Sequence, residues 1–362
     1  MELSRAERLM SNAKDLDAIV ILNDGDPFLD STFWYLTEQR SGSFEGSIAI
    51  AKKDGSLDVI VSVLEEESAN AGKGNIKVYR TRAERDEYII NALKGAKNVG
   101  FNSHNATFAM VEYVKKVAGK IKVCDADKVI SKTVSVKDQK EIEFTREACR
   151  ISSKVAGEIP DMLSEGIPEK EVACRMDNRM RELGGTGNAF DTIAAFGPNS
   201  SMPHHMPSSS KLRKGDTALF DFGTKYERYC SDMTRTVFFG KPSEILQRAY
   251  EVVLEAQTKG IEQYRDGANA SAADIAAREF IDSTEFKGKF IHSFGHGIGM
   301  DVHQDISVSP RSDQILETGN VVSAEPGIYI PGVGGIRIED TCLITKNGCE
   351  RLTDFDRRLT II

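Results

Sequence analysis

What the sequence lacks narrows it first. Its apolar runs are short, as in Ala18-Ile19-Val20-Ile21-Leu22, whereas a membrane-crossing helix needs about 20 such residues; no membrane partner is expected. Arg5 and Arg8 are followed by no apolar stretch of signal-peptide length, which argues against export. The six cysteines, at positions 124, 149, 174, 230, 342 and 349, contain no Cys-x-x-Cys pair. Zinc-finger and disulfide scaffolds are excluded together, because a chain of 362 residues has core enough to fold without staples. The cysteines are expected as small core residues in a reducing, cytoplasmic setting. No Gly-Lys-Ser/Thr occurs, which removes the phosphate-binding loop. Positive charge is also short: 47 Lys and Arg against 55 Asp and Glu leave −8, the wrong sign for a nucleic-acid partner. Most of that negative charge serves solubility.

A chain of 362 residues exceeds what one core usually supports, so two domains are expected. The first third alternates strand patterns (18–22, 47–51, 57–63, 76–79, 99–101 and 121–123) with helical ones at 82–94 and 106–117. That alternation predicts a small α/β domain with a largely covered sheet over residues 1–127. Residues 128–137 are polar and β-branched and read as a linker. From Asp138 an amphipathic helix sets Ile142, Ala148, Ile151, Val155 and Ile159 near one face. The rest of 138–362 adds helices near 169–183, 243–264 and 272–281, and strands at 217–222, 229–239, 290–294, 320–324 and 336–345. Short Gly-containing turns between neighbouring strands predict an α+β domain, a mainly antiparallel sheet covered by helices.

Chemistry concentrates in four segments of the second domain. Asp221, in Leu219-Phe220-Asp221-Phe222-Gly223, sits among apolar residues of a strand, where Asp is depleted. Asp232, in Cys230-Ser231-Asp232-Met233-Thr234, follows a turn near 223–228 that would lay the two acids on neighbouring strands. One such Asp is more often a hydrogen-bonded structural acid. Two in an apolar setting repel each other and resist ionising unless a cation compensates them. In the next segment His292, His296 and His303, three of the chain's six histidines, fall within twelve residues. Gly295, Gly297 and Gly299 let the backbone pass close to a ligand there, but lack the third glycine of a dinucleotide loop. A lone strand-end His is usually a satisfied core or surface residue; the clustering weakens that reading. Glu325, in Ser323-Ala324-Glu325-Pro326, and Glu339, in Arg337-Ile338-Glu339-Asp340, end or interrupt apolar strands. Alternation sets Arg337 and Glu339 on one face, where a buried Arg–Glu pair is the plain structural alternative. Four carboxylates converging within ~5 Å would repel by several kcal/mol even at an effective dielectric near 20. Two divalent cations cancel four charges and, ~3.5–4 Å apart, activate one water against a polarised carbonyl. An oxygen-rich set with one imidazole suits Mn, Co or Fe as well as Zn.

The order Asp221, Asp232, His296, Glu325, Glu339 resembles the metal centre of the pita-bread metallopeptidases, in the prolidase and aminopeptidase P branch. The local contexts match as well: Asp-Phe-Gly, Cys-Ser-Asp-Met-Thr-Arg-Thr, Gly-His-Gly-Ile-Gly, Glu-Pro-Gly-Ile-Tyr and Arg-Ile-Glu-Asp. The resemblance covers roughly residues 138–362, and the preceding domain is similar to that branch's N-terminal domain, including Trp34-Tyr35-Leu36-Thr37. It implies the pita-bread fold for the catalytic domain and a homodimer. It also implies that Asp221 chelates one metal, Asp232 and Glu339 bridge two, and His296 and Glu325 complete the other. Glu325 would be the general base. His204 and His303 match substrate-binding histidines near the scissile carbonyl, and Arg337 an arginine for the substrate's carboxylate. Two positions depart from the branch. His205 stands where Gly is common, and Ser307 where an Arg often follows the second histidine. The carboxylate contact is then left to Arg337 unless Lys211 or Arg311 reaches in.

The expected function is that of a dinuclear-metal exopeptidase hydrolysing the bond before proline in Xaa-Pro dipeptides or short peptides. Aminopeptidase P action on longer peptides is the alternative. A creatinase-like hydrolase works without the metals and a binding module loses ligands, so five intact ligand positions disfavour both.

Overall fold

The structure is a computed structural model that describes residues 3–362. It divides into two compact units, one ending at Val134 and the other beginning at Ser135. Among the described residues no helix is long and apolar enough to cross a membrane.

The first unit is built on a six-stranded mixed sheet. Its order is Asn75–Tyr79, Leu57–Ser62, Ser47–Lys52, Ala18–Asn23, Asn98–Phe101, Lys122–Asp125. Ala18–Asn23 pairs antiparallel with Ser47–Lys52 and parallel with Asn98–Phe101. It is buried on both faces, which explains why it reads as a continuous apolar run and not as an alternation. All six expected strands form, as do the helices Arg82–Ala92 and Phe108–Ala118. Two short helices, Arg5–Asn12 and Ser31–Thr37, escape the periodicity. The first starts at a Ser4/Glu7 capping box, and the second at Asp30, whose carboxylate accepts from the Thr32 amide. The expected linker is largely helical. Asp127–Ser135 buries Ile130 and Thr133 one turn apart, and that packing overrides its β-branched content.

In the second unit the strand pairs are antiparallel. It has two halves, each a helix pair laid on a sheet. Helices Gln139–Met162 and Glu169–Glu182 cover Ile193–Phe196, Thr217–Phe222 and Met233–Phe238 around Ile151, Met176 and Phe220. Helices Glu244–Ile261 and Ser271–Asp282 cover a five-stranded sheet around Tyr250, Phe294 and Ile336. The long helix opens at a capping box between Asp138 and Glu141, and buries Ala148, Ile151, Val155 and Ile159 as its period predicts. Of the six free cysteines, Cys149, Cys230 and Cys342 are buried as expected, whereas Cys174 is exposed.

Three of the expected strands differ from the structure. Residues 290–294 form no strand, because side chains of helix Ser271–Asp282 replace the ladder. Arg278 donates to Phe290 O and His292 O at 2.8 and 2.7 Å, and Asp274 accepts from Phe294 N at 2.9 Å. The strand begins only at Gly295–Gly297. The expected strands 229–239 and 336–345 are each broken, after Cys230 and after Arg337.

Candidate metal centre

Both breaks fall at acids. Thr217–Phe222 pairs with Met233–Phe238 so that Asp221 faces Thr234, and Asp232 lies one residue beyond the ladder. Between them the chain reverses through Thr224–Tyr226 and Tyr229–Cys230, with Glu227 and Arg228 both at positive φ. Asp232 is gripped instead by Thr341, whose hydroxyl donates to Asp232 O at 2.7 Å and accepts from Asp232 N at 3.2 Å. Across the same seam Glu339 N donates to Thr234 O at 3.1 Å. These bonds set Asp221 and Asp232 of one half against His296, Glu325 and Glu339 of the other. All five line one cavity of about 690 Å³, together with His204, His303 and Arg337.

The tightest set is Asp232, His296 and Glu339, whose ligand atoms lie within 4.8 Å of one another. His296 Nε2 stands 3.4 Å from Asp232 Oδ2 and 3.3 Å from Glu325 Oε1. Its Nδ1 lies 3.1 Å from Gly297 O, a contact that orients the ring with Nε2 toward the carboxylates, in place to ligate an ion. Thr234 Oγ1 donates to Glu339 Oε2 at 2.6 Å, and Ser323 Oγ to Glu325 Oε1 at 3.2 Å. Arg337 Nη2 donates to Asp221 Oδ2 at 2.6 Å, while Asp221 Oδ1 is buried with no hydrogen-bond partner. His303 packs its ring 4.1 Å from that of His296.

Burial, then the charges of Asp232, Glu325 and Asp221, push Glu339 well above the ordinary carboxylate range. Burial chiefly also takes Asp232 up to about 7. Burial opposes ionisation of Glu325 as well, but the His296 imidazole beside it brings that carboxyl down to about 2. Burial and then His296 lower His303, which favours its neutral form. Crowded, desolvated carboxylates of this kind call for a compensating cation. The orphaned Asp221 oxygen points the same way. The residues therefore fit divalent metal, which Asp221, Asp232, His296, Glu325 and Glu339 would hold.

Arg337 lies on the cavity wall as its alternation with Ile336 and Ile338 predicts, but it is tied to its surroundings. Besides Asp221 it donates to Tyr329 OH at 2.8 Å, Thr234 Oγ1 at 3.0 Å and Pro203 O at 3.4 Å. Tyr329 OH in turn lies 2.8 Å from His292 Nε2. Tyr329, Thr234 and His292 received no role from the sequence, where a strand aromatic, a strand threonine and one histidine among three are unremarkable. Ser307 and His205 line the cavity, and Lys211 and Arg311 do not. Among the described residues, Arg337 is the one arginine on that wall, and no lysine joins it.

Residues 143–346 match metallopeptidase family M24, and residues 3–133 match the Creatinase/Prolidase N-terminal domain. The chain is 39% identical over 304 residues to a Xaa-Pro dipeptidase of Pyrococcus horikoshii, covering 84% of this chain and 86% of that one. A Xaa-Pro dipeptidase from Bacillus anthracis superposes with a TM-score of 0.91 at 31% identity, over 99% of both chains. An X-Pro aminopeptidase from Thermotoga maritima does so with 0.90 at 31% identity, over 99% of this chain and all (100%) of that one. The two halves of the second unit are thus the pita-bread fold, and this chain belongs to metallopeptidase family M24, in its prolidase branch.

Proposed function

We propose that the protein is a dinuclear-metal exopeptidase that hydrolyses the bond before proline in Xaa-Pro dipeptides and short peptides. The observation that carries the reading is the convergence of four acids and one imidazole on a cavity that His204 and His303 also line. Bound divalent ions neutralise the carboxylates, polarise the scissile carbonyl and make water nucleophilic near neutral pH. Mn, Co, Fe and Zn all suit this donor set. Asp221, Asp232, His296, Glu325 and Glu339 would hold the ions, Asp232 and Glu339 being placed among the other ligands. Glu325 takes the proton of the attacking water. His204 and His303 donate hydrogen bonds to the charge that develops on the carbonyl oxygen and the leaving nitrogen. Arg337 offers the substrate's carboxylate its remaining Nη2 hydrogen.

The loose carboxylate site favours a second activity on longer peptides. One arginine already engaged with Asp221 holds a free C-terminus less firmly than a pair of cations, so Xaa-Pro-Yaa tripeptides should also be cleaved. The protein is read as a cytoplasmic homodimer, which its six free cysteines support for the compartment. The test is hydrolysis of an Xaa-Pro dipeptide panel by chelator-stripped protein, before and after Mn²⁺ or Co²⁺ is returned. Full activity in a demonstrably metal-free sample would refute the reading.

A further inference from the structure

Glu169 opens helix Glu169–Glu182 and is fully buried, 0% exposed. Its surroundings are unusual for a first-turn acid, which ordinarily faces water and the helix dipole. One oxygen, Oε1, accepts from Phe196 N at 2.8 Å and from Asn199 Nδ2 at 2.9 Å. The other, Oε2, lies 2.8 Å from His205 Nε2 and accepts from Ser208 N at 3.0 Å and Ser208 Oγ at 2.7 Å. The five donors come from the start, the middle and the end of one loop, residues 196–208. That loop carries His204 and, with Pro203, Met206 and Pro207, walls the cavity. The helix backbone returns the grip, since Lys170 N donates to Ser208 O at 3.1 Å and Glu169 N to Ser210 O at 3.0 Å. Burial opposes ionisation of Glu169, but donors from Asn199, His205, Ser208 and Phe196 outweigh it and hold the carboxyl below its ordinary range.

We propose that Glu169, clasping His205, Asn199 and Ser208, is the positioning residue that sets His204 in the cavity. The inference rests on the role of His204 given above and extends it to a carboxylate that touches neither substrate nor ion. It also gives His205 a purpose. Where the branch commonly has glycine, this chain has an imidazole that ties the residue next to His204 into the buried acid. A loop that wanders by about 1 Å costs roughly 10²-fold in rate, so such a clasp has direct catalytic leverage.

Glu169→Gln tests it with almost no change in shape. An amide has one acceptor oxygen and one NH₂, so whichever way it turns, its NH₂ meets a backbone donor, Phe196 N–H or Ser208 N–H. One end of the loop is released. The expected result is a fall in kcat of about 10- to 100-fold, with KM for Ala-Pro within about threefold and metal content unchanged. His205→Ala should fall in the same direction by less, and His205→Gln, which keeps a donor at the same reach, should recover most of the loss. The decisive measurement is a cycle with His204→Ala. In that background Glu169→Gln should cost under about twofold, because its effect passes through His204. Losses that multiply in the double variant, or a Glu169→Gln enzyme within about twofold of wild type, would overturn the proposal. If Glu169→Gln does not fold, the same cycle with His205→Ala decides between the same two outcomes. Amide hydrogen exchange reads the clasp without turnover: one of Phe196 and Ser208, the one that meets the new NH₂, should exchange about tenfold faster in Glu169→Gln. Unchanged exchange rejects the clasp even in an active enzyme. Faster exchange in a protein that never cleaves Ala-Pro rejects the peptidase reading and leaves the clasp standing.

Discussion

Removing the Arg337 guanidinium should weaken the ion-free protein far more than the metal-loaded one. Arg337 is 3% exposed, and its Nη2 lies 2.6 Å from Asp221 Oδ2. At an effective dielectric near 20, two unit charges about 4 Å apart attract by ~4 kcal/mol, and removing one partner of a buried pair typically costs ~3–5 kcal/mol. Arg337→Ala in chelator should therefore lose that amount, because Asp221 is left buried with like-charged Glu325 nearby and no cation. Metal changes the balance. An ion held at the unpartnered Asp221 Oδ1 would compensate the carboxylate by itself and would be repelled by Arg337. What remains lost is then the pair of hydrogen bonds to Tyr329 and Thr234, about 1–2 kcal/mol together. For a unit of this size, roughly 2–4 °C follows each kcal/mol. The gap in Tm between wild type and variant should be ~6–20 °C in chelator and ~2–8 °C with saturating Mn²⁺. Scanning calorimetry of both proteins in both conditions measures it. An equal gap with and without metal would show that Asp221 does not face an ion, and would remove this account of the centre. Arg337→Lys should not rescue, since one ammonium cannot span Asp221, Tyr329 and Thr234. The same variant also checks substrate length: kcat/KM for Ala-Pro over Ala-Pro-Gly should fall if Arg337 holds the free carboxylate, and stay constant if it serves Asp221 alone.

The geometry makes three more outcomes testable. Asp232→Ala should lose most bound metal and all activity, because that carboxylate faces His296 and Glu339 at once; metal analysis of dialysed protein decides it. His204→Ala and His303→Ala should keep the metal and slow turnover by about 10²–10³, the scale of one lost transition-state donor; loss of stoichiometric metal in either would make it a ligand. Lys137 is buried with its Nζ on Gln304 and Ser135 O, and burial chiefly lowers it to about 8. Between about 8 and the ordinary lysine value the unfolded chain binds the extra proton, so this group makes stability rise with pH across that window. Lys137→Met should flatten the rise in urea-unfolding free energy between about pH 8 and 10; an unaltered slope would mean that Lys137 keeps its proton in the fold.

The acids were legible because a charge inside an apolar strand has few bland explanations. Asp221 between Phe220 and Phe222 is such a case. Their supports were not, because each is a residue its element would use anyway. Thr234 and Thr341 are good strand formers, Tyr329 reads as a strand aromatic, and Glu169 after Pro168 reads as an ordinary first-turn acid. Only their partners reveal them, and a partner as distant in sequence as Glu339 is from Thr234 leaves no trace in local pattern. The misread strands have the same origin. Alternation runs on through Tyr229–Phe239 and Ile336–Thr345 as if each were one strand, yet the ladder stops beside Asp232 and Glu339. A carboxylate that stayed in register would point into its own sheet face at ladder spacing. Asp232 and Glu339 instead leave the ladder, and their backbones find other partners, Thr341 for Asp232 and Thr234 for Glu339. The two strand breaks at Asp232 and Glu339 therefore fall where the centre is assembled, while Asp221 and His296 reach it from within their ladders.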